Sequence, residues 1–131
     1  MTRLLLVAAL AFAAAAPATA SAARYSFGRQ GGNIMPFTVS ITATGAVYAT
    51  GPVKVGRTTL TGAQLASLAK TLSGASFSTL PTATQCLGTL PDFAASFVSV
   101  GSRKVSVRGS CSPRFSRVWN ALAGAVRLST G

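Results

Sequence analysis

No histidine occurs in this chain of 131 residues, and Asp92 is its only carboxylate side chain. Those two absences remove most enzymatic chemistry. Ser–His and Cys–His nucleophile activation have no base. Glycoside hydrolysis normally needs two carboxylates and finds one. Metal-assisted hydrolysis lacks ligands, and two cysteines without histidine cannot assemble a Cys/His zinc site. A Ser–Lys dyad stays formally open to Lys54, Lys70 or Lys104, with Lys70 expected on the solvated face of a helix. Acid–base groups are what enzymes most often work with. The expectation is therefore a protein that is not an enzyme and carries no metal or cofactor.

A long apolar run occurs once, at the N-terminus. Leu4–Ala16 follows the positive start Met1-Thr2-Arg3 and is closed by Pro17. It is too short for a hydrocarbon core that needs about 20 residues. Ala18-Thr19-Ala20 and Ala20-Ser21-Ala22 supply the small-x-small pattern read by signal peptidase. Residues 1–22 thus read as a cleaved signal peptide, leaving Ser21 or Ala23 as the first residue outside. Residues 23–131 read as one domain without a transmembrane anchor, and the localisation expected is secreted or extracytoplasmic. The leader also inflates the mean hydropathy of +0.47.

Cysteine is limited to Cys86 and Cys111. An even count in an exported chain reads as a disulfide. With the two 25 positions apart, the chain-entropy model gives such a bond about 3.5 kcal/mol of stabilisation.

Twelve Lys and Arg stand against the single acid, a formal charge of +11. Such an excess keeps a small protein soluble and also attracts anionic partners. The cations are scattered singly, which argues against dedicated nucleic-acid binding. Arg103, Lys104, Arg108, Arg114 and Arg117 are the candidates for a basic surface.

The remaining residues carry alternating and helical patterns. Arg24–Arg29 is a short strand that runs into Gln30-Gly31-Gly32-Asn33, a turn or a backbone at positive φ. Phe37, Val39 and Ile41 alternate with Thr38, Ser40 and Thr42 as a half-buried strand. After Thr44-Gly45, residues 46–55 return as its partner, broken or bulged at Gly51-Pro52. Thr61 and Gln64 form a capping box, with Leu60 and Leu65 as a hydrophobic staple. Leu65, Leu68, Ala69 and Leu72 then share one helical face, and Gly74 ends that helix. Residues 81–91 read as a loop carrying Cys86. Residues 93–100 are apolar on both faces, as in an interior strand, and Val105 and Val107 mark its partner. Ser112-Pro113 supplies an N-cap and a first-turn proline. Phe115, Val118, Trp119, Leu122 and Val126 give the second helix its apolar stripe, Trp119 being expected in the core. The tail after Arg127 has no pattern. Asp92 either caps a turn or pairs with an arginine.

Strands, helix, strands, helix predict an α+β fold, in the order β-β-β-α-β-β-α. An antiparallel sheet of about four to five strands would carry both helices on one face. The candidate binding site is Arg29, Gln30, Gly31, Gly32 and Asn33. Its glycines lack the spacing of phosphate-binding loops and lead into a strand, so a turn between strands is favoured over a phosphate cradle.

This order of features resembles the emfourin-like family of small proteinaceous metalloprotease inhibitors. The similar features are the early strand ending in Arg29-Gln30-Gly31-Gly32, the helix with Leu65, Leu68 and Leu72, and the step Phe77 to Leu80. Asp92-Phe93 before the strand containing Phe97-Val98, a hairpin and a final helix complete the parallel, which spans most of residues 23–131. The leader, both cysteines and the scarcity of acids are this chain's own. The resemblance implies inhibition of an extracellular protease. Expected is a secreted, non-enzymatic binding or inhibitory module that meets another extracellular protein through the Arg29–Asn33 turn, since loops carry function on such scaffolds. The alternative is a basic protein associated with polyanions or cell-envelope polymers. Salt separates the two, because charge-driven binding weakens steeply as salt rises.

Overall fold

The computed structural model describes residues 22–130. The leader assigned to residues 1–22 falls almost entirely outside the described residues. No helix among the described residues is long and apolar enough to cross a membrane.

Four strands precede the first helix: β1 (Ala23–Gln30), β2 (Phe37–Thr42), β3 (Val47–Thr50) and β4 (Val53–Val55). Helix α1 (Gly62–Gly74) follows, then a single 3-10 turn at Phe77–Thr79, and β5 (Ala83–Gln85), β6 (Ala95–Val100) and β7 (Arg103–Arg108). Helix α2 (Pro113–Val126) and β8 (Leu128–Thr130) end the chain. The alternation Phe37, Val39, Ile41 does place all three side chains in the core. Thr61 caps α1 as its spacing foretells. Its Oγ1 accepts from Gln64 N at 3.2 Å, while Gln64 Oε1 accepts from Thr61 N at 2.8 Å.

The fold is α+β with both helices on one side of the main sheet, but that sheet is larger than the sequence suggests and is mixed. Its order is β3-β2-β1-β6-β7-β5, six strands, and a separate pair β4-β8 stands apart. Two expectations are corrected here, and a third, the break at Gly51-Pro52, is met. Residues 83–85 are not loop: β5 runs parallel to β7, held through Ser106 N to Thr82 O and Cys86 N to Arg108 O. Residues 128–130 are not a patternless tail: β8 pairs antiparallel with β4. The return strand after Thr44-Gly45 divides at Gly51-Pro52, so that β3 stays in the main sheet and β4 leaves it. Each added strand has three residues, too few for a periodic pattern to register.

The register fixes two sheet faces. Phe27 lies opposite Val39 and Val98, and Val98 opposite Val105. This row packs with Leu68 and Leu72 of α1 and with Phe115, Val118, Leu122 and Val126 of α2. Ser112 occupies the position before α2 but its side chain makes no capping bond; Pro113 is in the first turn as expected. Trp119 is half-buried rather than core. Its ring meets Phe27 edge-on with centroids 5.5 Å apart, and its Nε1–H donates to Gly28 O at 3.1 Å. Phe93 falls outside β6 and is exposed.

Candidate functional site

One end of the sheet collects a terminus of each of its six strands. There β1, β3, β5 and β7 finish and β2 and β6 begin, and α2 starts nearby. Two loops cap this end, residues 31–36 and residues 86–94, and they are fastened to one another. Asn33 N donates to Asp92 O at 3.0 Å, and Asn33 Nδ2 donates to Asp92 Oδ2 at 3.3 Å. The side-chain partner of the single acid is thus Asn33 rather than an arginine. A disulfide joins Cys86 to Cys111, with Cα atoms 5.6 Å apart, and ties the second loop to the start of α2.

The five residues of the Arg29–Asn33 segment do not act as one surface. Arg29 faces the helix side, its guanidinium 4.9 Å from the centre of the Trp119 ring. Gln30 accepts from Lys104 Nζ at 3.5 Å on the opposite side of the sheet. Gly31 and Gly32 both have positive φ, +75° and +61°. Gly32 is closely approached, but by its own chain. A β-carbon there would lie 2.3 Å from Asp92 O and 2.7 Å from Ala94 N. That contact explains the second glycine without any partner.

The basic residues are also dispersed. Lys104 and Arg108 alternate with Val105 and Val107 and so face away from the helices. Arg103 turns the other way, where its guanidinium donates to Leu80 O. Arg114 and Arg117 are exposed on α2, Arg114 Nη1 donating to Thr79 Oγ1 at 3.3 Å. Ser67-Leu68-Ala69-Lys70 has the S-x-x-K spacing on α1. Ser67 and Lys70 are both exposed, without the desolvated pocket that activates a lysine base.

What the pattern of residues did not reveal is an apolar rim. Six large hydrophobic side chains are exposed among the described residues, and five of them, Ile34, Met35, Leu87, Leu90 and Phe93, stand on the two fastened loops. Met35 is 72 % exposed and Leu87 fully so. Ile34, Leu87 and Phe93 border an open cleft of about 680 Å³ whose walls include Arg29, Asp92 and Cys111. The available signal was Ile34-Met35-Pro36 and Leu87-Gly88-Thr89-Leu90-Pro91, apolar residues in segments with neither period.

An exposed apolar cluster on a small protein marks a contact surface, and Met, aromatic and Arg side chains are the types enriched at such surfaces. Chemically the site offers hydrophobic contact around one cation and one carboxylate. No family model, curated protein or solved structure matches the chain.

Proposed function

We propose that this chain is an exported, non-enzymatic binding or inhibitory module that engages an extracellular protein through the two fastened loops. The observation that carries this reading is the apolar rim of Ile34, Met35, Leu87, Leu90 and Phe93 beside Arg29. Exposing these side chains to water is unfavourable unless a partner covers them. The Asn33–Asp92 bonds and the Cys86–Cys111 bridge hold both loops in place beforehand, which lowers the ordering cost of association. The disulfide is consistent with an oxidising compartment.

Inhibition of an extracellular thermolysin-type metalloprotease is the specific activity that the emfourin-like resemblance implies. The test is titration of such a protease with the oxidised protein, alongside a Leu87→Ser/Phe93→Ser double variant. The expected outcome is inhibition that largely persists at physiological salt and falls roughly a hundredfold in the double variant, as for loss of two interface anchors. Inhibition unaffected by the double substitution would remove the loops from the mechanism. Failure to inhibit, with loop-dependent capture of another secreted protein, would keep the binding surface and discard the protease.

A further inference from the structure

The side of the main sheet away from the helices is a second surface, distinct from the loop rim. Cross-strand pairing places Ser26, Thr38, Ser40, Ser99 and Ser106 on it, a band of hydroxyls running across β2, β1, β6 and β7. The helices pack on the other side with the core, and none of the described elements covers this one. The hydroxyls are half-exposed, and Tyr48, opposite Ser40 at the β3 edge, is exposed.

Two cations converge at one corner of this face. Lys104 crosses the Phe97 ring, its ammonium 4.6 Å from the ring centre, and ends 3.5 Å from Gln30 Oε1. Arg108 reaches the next residue, its Nη2 lying 3.8 Å from where a β-carbon of Gly31 would stand. Its Nε is shielded from solvent and has no hydrogen-bond partner among the described residues. The chain's only carboxylate side chain, that of Asp92, accepts from Asn33. Like charges brought to one dipeptide repel each other, and an anionic group placed between them relieves that repulsion and accepts charge-assisted hydrogen bonds.

We propose that the open sheet face binds an anionic polysaccharide, with a sulfate or phosphate group seated between Lys104 and Arg108 at Gln30–Gly31. Charge complementarity points to an anion, and the hydroxyl band points to carbohydrate. Serine and threonine hydroxyls both donate and accept, which matches the hydroxyls of a sugar chain. A single-stranded nucleic acid fits less well, because successive bases need successive aromatic platforms. Here Phe97 is buried beneath Lys104 and Tyr48 alone is exposed. Such a surface would hold the module on an anionic polymer while the loop rim stays free for its protein partner.

The probe is dextran sulfate, compared with neutral dextran and with a single-stranded oligonucleotide of matched charge, each titrated into the oxidised protein. Lys104→Gln/Arg108→Gln is set against Arg114→Gln/Arg117→Gln, which removes the same charge from α2. Loss of two charge-assisted contacts should weaken dextran sulfate binding roughly tenfold or more in the sheet-face variant, against about twofold in the helix variant. Amide chemical shifts in the unsubstituted protein should move at Ser26, Ser40 and Ser99, and this holds whether or not the variants fold. Equal losses in the two variants, shifts confined to α2, or tighter binding of the oligonucleotide would each overturn the proposal.

Discussion

Gly31 and Gly32 are adjacent, share a left-handed backbone and differ in what surrounds them, so replacing each by alanine separates backbone strain from collision. A β-carbon on Gly31 meets only Arg108 Nη2 at 3.8 Å, an ordinary contact with the end of a flexible side chain. Gly31→Ala should therefore cost only the left-handed penalty of about 1–2 kcal/mol. On Gly32 the same carbon enters the backbone of the opposing loop, 2.3 Å from Asp92 O and 2.8 Å from Phe93 C. Overpacking of that kind adds about 1–3 kcal/mol, bringing Gly32→Ala to roughly 2–5 kcal/mol. The assay is urea unfolding, in which m for a small domain is about 1–3 kcal/mol/M. The two midpoints should thus lie about 1 M apart, with Gly32→Ala the lower. The Asn33 amide, which donates to Asp92 O at 3.0 Å, should also lose exchange protection in Gly32→Ala and keep it in Gly31→Ala. Coincident midpoints, or a lower one for Gly31→Ala, would refute the argument that Gly32 is needed for the seam between the loops.

Reducing the Cys86–Cys111 bond should lower stability by about 3.5 kcal/mol, the loop-closure value for 25 residues. Melting with and without reductant checks this, and the oxidised protein should weigh about two mass units less than the reduced one. Trp119→Phe keeps a ring against Phe27 but removes the Nε1–H that donates to the carbonyl of buried Gly28. A destabilisation of about 1–2 kcal/mol should appear in chemical denaturation, and an unchanged midpoint would mean that another donor replaces the indole.

The patterned segments were legible in the sequence. Phe37, Val39 and Ile41 alternate, and Leu68 with Leu72, and Phe115 with Val118 and Leu122, recur at helical spacing. Each such pattern needs burial on one side, which a sheet carrying both helices provides. The capping box of Thr61 and Gln64 and the pairing of the two cysteines are likewise local or compositional facts. Of the candidate site, the turn at Gly31-Gly32 was legible as a turn. Its neighbours were not, because Asp92 comes to Asn33 from 59 positions along the chain.

Length, charge, cysteine pairing and the two helical stripes were determined by the sequence itself, since they depend on residue identity and short-range spacing. Tertiary structure alone decided the rest. Strands β5 and β8 have three residues each and exist only because a partner strand supplies their hydrogen bonds. Arg103 and Lys104 are neighbours in sequence, yet strand alternation sends one to Leu80 and the other across Phe97. Ile34, Met35, Leu87, Leu90 and Phe93 form one rim because Asn33–Asp92 and Cys86–Cys111 fasten their loops together. Periodicity records which side of an element is buried. It carries no information about which loops meet at the end of a sheet, because that depends on strand order and register.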